Sequence, residues 1–172
     1  MVRTDAQKPG RVNTLLIAGL VVDVIGCVLH IVGMAMPDWS VWETTSLGAF
    51  IACYINVGCS SYSDKTRDIE ALQAMLILGI ICGVCAACLE AIHTIFRLRQ
   101  IKVLSLIAGI LSIFACVFII AGVIIWGAKA DLELGDGFDF SFSFILCIVA
   151  SVFLLNGGVF FLLGYSDTVE SI

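Results

Sequence analysis

The sequence predicts an all-α membrane fold, a four-helix transmembrane bundle with a small disulfide-stapled extracellular β-sheet. Three observations point there. The 172 residues are 60% hydrophobic and only 13% charged, with a mean hydropathy of +1.10, a balance outside the range of soluble domains. Four apolar runs are each long enough to cross a bilayer core of about 30 Å, which takes roughly 20 helical residues. Two cysteines, Cys53 and Cys59, fall in the one long polar stretch between runs.

The spans are expected over residues 14–36, 71–96, 103–126 and 140–163. What remains is too short for a second domain, so residues 1–172 form one unit. The first run is the only one open to a different reading, as a signal peptide. A signal core has roughly 7 to 15 apolar residues, whereas this run continues to Met36. Basic flanks resist translocation. Arg3, Lys8 and Arg11 precede the first span, and Arg97, Arg99 and Lys102 fill the turn between the second and third. Residues 1–13, 97–102 and 164–172 are therefore expected in the cytoplasm, and the loops 37–70 and 127–139 outside. The outer loops collect nine acids (Asp38, Glu43, Asp64, Asp68, Glu70, Asp131, Glu133, Asp136, Asp139) against Lys65, Arg67 and Lys129. No Asn-x-Ser/Thr glycosylation acceptor occurs.

Membrane helices associate where small residues let backbones approach. Gly19, Gly26 and Gly33 repeat every seven residues on the first helix, and Gly79, Gly83, Ala87 and Ala91 every four on the second. Ala108, Ser112 and Cys116 repeat on the third, and Gly157-Gly158 lies within the fourth. These stripes predict interhelical seams in an antiparallel bundle.

Six of the eight cysteines lie within spans, where cysteine is a small packing hydrophobe. Cys82, Cys85 and Cys88, with Glu90 and His93 below them, are read as packing residues rather than a metal or redox site. Cys88 is also within reach of lipidation. Cys53 and Cys59 lie on the oxidising side, with turn formers Asn56 and Gly58 between them, and are read as a disulfide stapling a β-hairpin. Asp23, His30, Glu90 and His93 are ionisable at bilayer depth, which is costly unless they pair or reach water. Either a proton or ion path or a buried interhelical hydrogen bond accounts for them. Asp23 and Glu90 fall at similar depth.

No zinc-protease, nucleophile-elbow, Walker or dinucleotide motif precedes a suitable helix. Neither a cofactor nor a metal is expected, and the basic residues are the topogenic ones, which leaves no nucleic-acid surface.

The long loop carries Trp39, then Gly48-Ala49-Phe50, Cys53 and Cys59. In this it resembles the claudin signature of a tryptophan, a Gly-Leu-Trp and two cysteines. The resemblance continues through Ala71-Leu72-Gln73-Ala74, Trp126, Glu133-Leu134-Gly135 and Gly157-Gly158, in order along nearly the whole chain. The departures are Ala49-Phe50 in place of Leu-Trp, shorter intervals from Trp39 to Cys53 and between the cysteines, and Leu76 near the place of a common arginine. A divergent or invertebrate claudin-like protein fits, as does a member of the wider superfamily of peripheral myelin and epithelial membrane proteins.

The resemblance implies a non-enzymatic plasma-membrane protein of cell junctions. It would self-associate laterally and across apposed membranes to form a paracellular barrier or pore. Apolar Val41, Trp42, Leu47 and Phe50 are candidate contacts, and Trp39 and Trp126 are expected as interfacial anchors. The acidic outer face favours cations, with Asp64, Asp68 and Glu70 the foremost contributors. The C-terminal Glu170-Ser171-Ile172 suits a PDZ groove, which adds a free carboxyl end as a strand. Two other classes compete. One is an auxiliary subunit of a channel or receptor; the other is a thiol oxidoreductase linking Cys53 and Cys59 to the second-helix thiols.

Overall fold

The computed structural model describes residues 9–42, 45–62, 66–95, 102–134 and 139–169. Its elements run α1 (Pro9–Ala35), β1 (Ser40–Trp42), β2 (Thr45–Leu47), β3 (Ile51–Tyr54), β4 (Gly58–Ser61), α2 (Arg67–Ile95), α3 (Lys102–Leu134), β5 (Asp139–Phe140) and α4 (Phe142–Val169). All four helices are long and apolar enough to span a bilayer. The five strands form one antiparallel sheet in the order β4-β3-β2-β1-β5 at one end of the bundle.

Lipid gives no hydrophobic drive for helix to meet helix, so close backbone approach and polar stitching set the packing. Seven residues advance a helix by two turns less about 20°, and Gly19, Gly26 and Gly33 accordingly stay on one buried face of α1. There they meet Phe161, Leu154 and Cys147 of α4. The four-residue stripe of α2 behaves differently. Each step of four drifts by about 40° at 3.6 residues per turn. Gly79 and Gly83 are buried, whereas Ala87 and Ala91 are only half-buried and Ala86, Glu90 and His93 take over the seam. On α3, Ala108, Ser112 and Cys116 are all buried. Ser112 Oγ donates to Leu154 O at 2.8 Å, and Ser105 Oγ to Phe161 O at 3.2 Å, tying α3 to α4.

Helix α3 is longer than its apolar run. The loop expected from residue 127 is helical through Leu134. Gly127 looks like a stop after Trp126, but the strong helix formers that follow outweigh it, and Ala130 is buried. Helix α2 likewise begins at Arg67, so Asp68 and Glu70 sit on its first turn rather than in the loop. Thr66 precedes that turn, its carbonyl accepting from Glu70 N–H. Acids there complement the positive end of the helix dipole. Lys129 of α3 reaches the same corner, Nζ donating to Thr66 Oγ1 at 2.7 Å.

Candidate functional site

The long loop is held to the bundle through two tryptophans. Trp39 is fully buried, its ring edge-on to Trp126 of α3 (centroids 5.7 Å apart) and to Phe144 of α4 (5.9 Å). Its Nε1 donates to Gly33 O of α1 at 2.7 Å. Trp126 Nε1 donates to Ser40 Oγ of β1 at 2.9 Å. Burial of each indole therefore satisfies its only donor, as burial in a low-dielectric core demands. The expected role for this pair, anchoring at the membrane interface, is corrected by these contacts: both rings belong to the core.

The rest of the motif converges on the same point. Trp39 N–H donates to Leu47 O, and Gly48 N–H to Ile51 O. A Cβ on Gly48 would stand 2.7 Å from Pro37 Cα, closer than atoms pack, so only glycine lets this loop lie against the end of α1. Ala49 is buried, and its carbonyl accepts from Gln73 Nε2 of α2 at 3.0 Å. Tyr62 OH donates to Gly48 O at 2.8 Å. Burial, and secondarily Tyr54, pushes the Tyr62 hydroxyl up from 10.0 to about 12, so it stays a proton donor through the physiological range. Leu47 and Phe50 pack partly buried against the core. Of the other two candidate contacts Val41 is exposed, while the Trp42 side chain lies outside the described residues.

Cys53 and Cys59 stand opposite one another on β3 and β4 and are joined by a disulfide. The intervening turn closes with Val57 N–H donating to Tyr54 O, and Gly58 follows with φ of 88°, a left-handed conformation that favours glycine. Ile55 and Val57 are 72% and 85% exposed at this tip. The sequence reading missed them as a surface because they fall inside a turn, where periodicity carries no information. It also missed Ser40, Tyr62 and strand β5. Asp68, Glu70 and Asp139 are exposed. Asp64, Glu43 and the tail Glu170-Ser171-Ile172 lie outside the described residues.

A second polar centre sits inside the bundle. Asp23 of α1 and Glu90 of α2 are fully buried, and the structure brings their carboxyl groups into contact beside Ser112. Ser112 directs its hydrogen to Leu154 O, and among the described residues no other group donates to either carboxyl. Carboxylates are acceptors only, so the contact becomes a hydrogen bond when one of the two carries a proton. Gly157 of α4 makes the room: a Cβ there would overlap the Asp23 carboxyl group. His30 Nε2 donates to Leu76 O at 3.1 Å, which ties α1 to α2 nearer the sheet. His93 stacks edge-on to Phe161 at the other end. No cluster of three or more metal-ligating side chains occurs among the described residues. Cys85 and Cys88 face outward while Cys82 is half-buried. Cys82 lies about 22 Å along α2 from its first residue at 1.5 Å per residue, far for direct exchange with the Cys53–Cys59 bond.

Fold and site together define a tetraspan membrane protein whose long loop forms a disulfide-closed sheet seated on the helices. The chain belongs to the PMP-22/EMP/MP20/Claudin family, whose sequence profile matches residues 13–161. That family is one of membrane proteins without enzymatic activity. A sequence comparison with curated proteins returns no match.

Proposed function

We propose that this protein is a claudin-like component of cell–cell contacts, with its sheet outside the plasma membrane and both termini in the cytoplasm. Copies associate laterally and across apposed membranes to form a paracellular barrier or a cation-preferring pore. The observation that carries this reading is the presentation of Ile55 and Val57. They stand exposed on a hairpin closed by a disulfide, at the end opposite the Ala49-Phe50 segment that seats the sheet on the bundle. Apolar groups displayed this way mark interaction sites, and a rigid display loses little conformational freedom on docking.

The test is a mixed culture of tagged expressers and non-expressers of an adhesion-poor line. Enrichment is expected only at borders where both cells express the protein, and it is expected to drop with Ile55→Ser/Val57→Ser. Uniform distribution, or co-purification of a larger membrane protein, would replace this reading with that of an auxiliary subunit.

Cation preference rests on Asp64, Asp68 and Glu70 concentrating counter-ions around the outer loop. Reversal potentials across an expressing monolayer are expected to shift toward non-selectivity with Asp64→Asn/Asp68→Asn, and no shift would sink the idea. Scaffold binding by Glu170-Ser171-Ile172 is read by PDZ pull-down with and without Ile172.

A further inference from the structure

Each span turns an outer face toward lipid. Away from the span ends, and among the described residues, these faces are apolar except for two thiols and one amide. The amide is Asn156 of α4. At 1.5 Å per residue it lies about 21 Å along the helix from Phe142 and about 12 Å from Gly164, the limits of the apolar span. Asn156 is exposed, and its Nδ2 donates to Val152 O one turn back at 2.7 Å. The second amide hydrogen and the carbonyl oxygen have no partner among the described residues. Hydrocarbon supplies neither donor nor acceptor, so an amide half satisfied at this depth is costly.

Asn156 does not stand on an arbitrary patch. Ile145, Val149, Val152, Asn156, Val159 and Leu163 are all exposed and alternate at spacings of four and three. That is the seam along which two parallel helices supercoil, and a lone asparagine in such a seam sets register and partner number. The outer faces of α1, α2 and α3 keep a comparable spacing, as any lipid-facing helix does, but carry no amide. The asparagine is therefore what distinguishes α4.

We propose that α4 is a lateral self-association surface, along which two copies in one bilayer pack with their Asn156 amides hydrogen-bonded to each other. An amide offers donor and acceptor together, so a two-fold pair satisfies both copies with the same residue. Copies inserted in the same sense present parallel α4 helices, which places the two amides at one depth. The flanking valines lose little rotamer freedom on packing, being β-branched. The proposal deepens the lateral half of the assembly described above and needs no apposed membrane.

The test uses the full chain in sparsely plated cells without contacts, with Cys85→Ala/Cys88→Ala to silence the outward thiols. Oxidative cross-linking of Val159→Cys is expected to yield a homodimer, and Ile77→Cys on the outer face of α2 is expected not to. In vesicles of increasing protein density, Asn156→Leu is expected to weaken the dimer about three- to thirty-fold, the range of one interhelical polar contact. Asn156→Gln is expected to retain it. Delivery to the cell surface checks that each variant folds, Asn156 being exposed and its side chain bonded to Val152 O of its own helix. Equal cross-linking at both positions, an unchanged Asn156→Leu dimer, or capture of a different membrane protein at Val159→Cys would each overturn the proposal. Dimers that persist where cell borders show no enrichment support this contact and remove the junction reading; border enrichment without dimers does the reverse.

Discussion

The two ends of the bundle handle buried polarity in opposite ways. At the sheet end, Trp39, Ser40, Gln73 and Trp126 are all buried and each takes part in a directional bond that crosses between elements. Toward the far end, Asp23 and Glu90 are just as buried, yet among the described residues no donor bonds their carboxyl oxygens, and His93 Nδ1 has no partner. Directional bonds thus converge where an irregular loop must be held in one pose. Helix against helix is held by small residues and by single bonds such as those of Ser105 and Ser112 to α4, whereas the carboxyl pair carries its own desolvation cost.

The largest effect that tests this contrast is expected from Trp39→Ala. Removing a fully buried indole between three helices should cost about 3–5 kcal/mol, read as thermal unfolding in detergent, while Ile55→Ala should stay within about 0.5 kcal/mol. A native-like melt for Trp39→Ala would show that the aromatic cluster is not what fastens the sheet.

Next comes Cys53→Ser/Cys59→Ser. Opening so short a loop should cost about 2 kcal/mol by chain entropy. Amide exchange should rise in β3 and β4 while the helices stay protected, and border enrichment should fall with surface delivery intact. Exchange rising throughout the bundle would mean that the sheet and helices are one cooperative unit.

At the far end, Gly157→Ala should cost about 1–2 kcal/mol by forcing Asp23 aside. Combined with Asp23→Ala the penalty should be less than additive, whereas strict additivity would separate the two residues. Gly127→Ala is the control: a Cβ there meets nothing within 4 Å, and the change should be neutral or stabilise α3 by up to about 1 kcal/mol.

Among the destabilising changes the smallest effect belongs to Tyr62→Phe, at about 1 kcal/mol for one hydrogen bond. Tyr62 titrates near 12 when folded against an ordinary 10.0. Below 10 both states keep the proton and stability is flat. Between 10 and 12 the unfolded chain releases it first, so stability falls as pH rises. Tyr62→Phe should lack that fall, and an identical alkaline profile would show that the hydroxyl does not hold Gly48.

What could be read directly from the chain follows from strict periods and lengths. Four apolar runs, the heptad of Gly19, Gly26 and Gly33, and the polar loop with Cys53 and Cys59 each state their place without reference to distant residues. The four-residue stripe of α2 was only half legible, because four residues overshoot a turn and the seam drifts to Ala86 and Glu90. Strands β1, β2 and β5 are two or three residues long, too short to show alternation, and exist only because each pairs with a neighbour.

The sequence by itself determined the spans, the helical seams of α1 and α3 and the hairpin closed by Cys53 and Cys59, since hydropathy, spacing and turn chemistry are local. Only the tertiary structure decided that Trp39 and Trp126 are core rather than interface, that α3 continues to Leu134, and that Asp23 meets Glu90 in the space left by Gly157. Each of these depends on which helices become neighbours and at what depth, a matter of close contact between residues far apart in the chain.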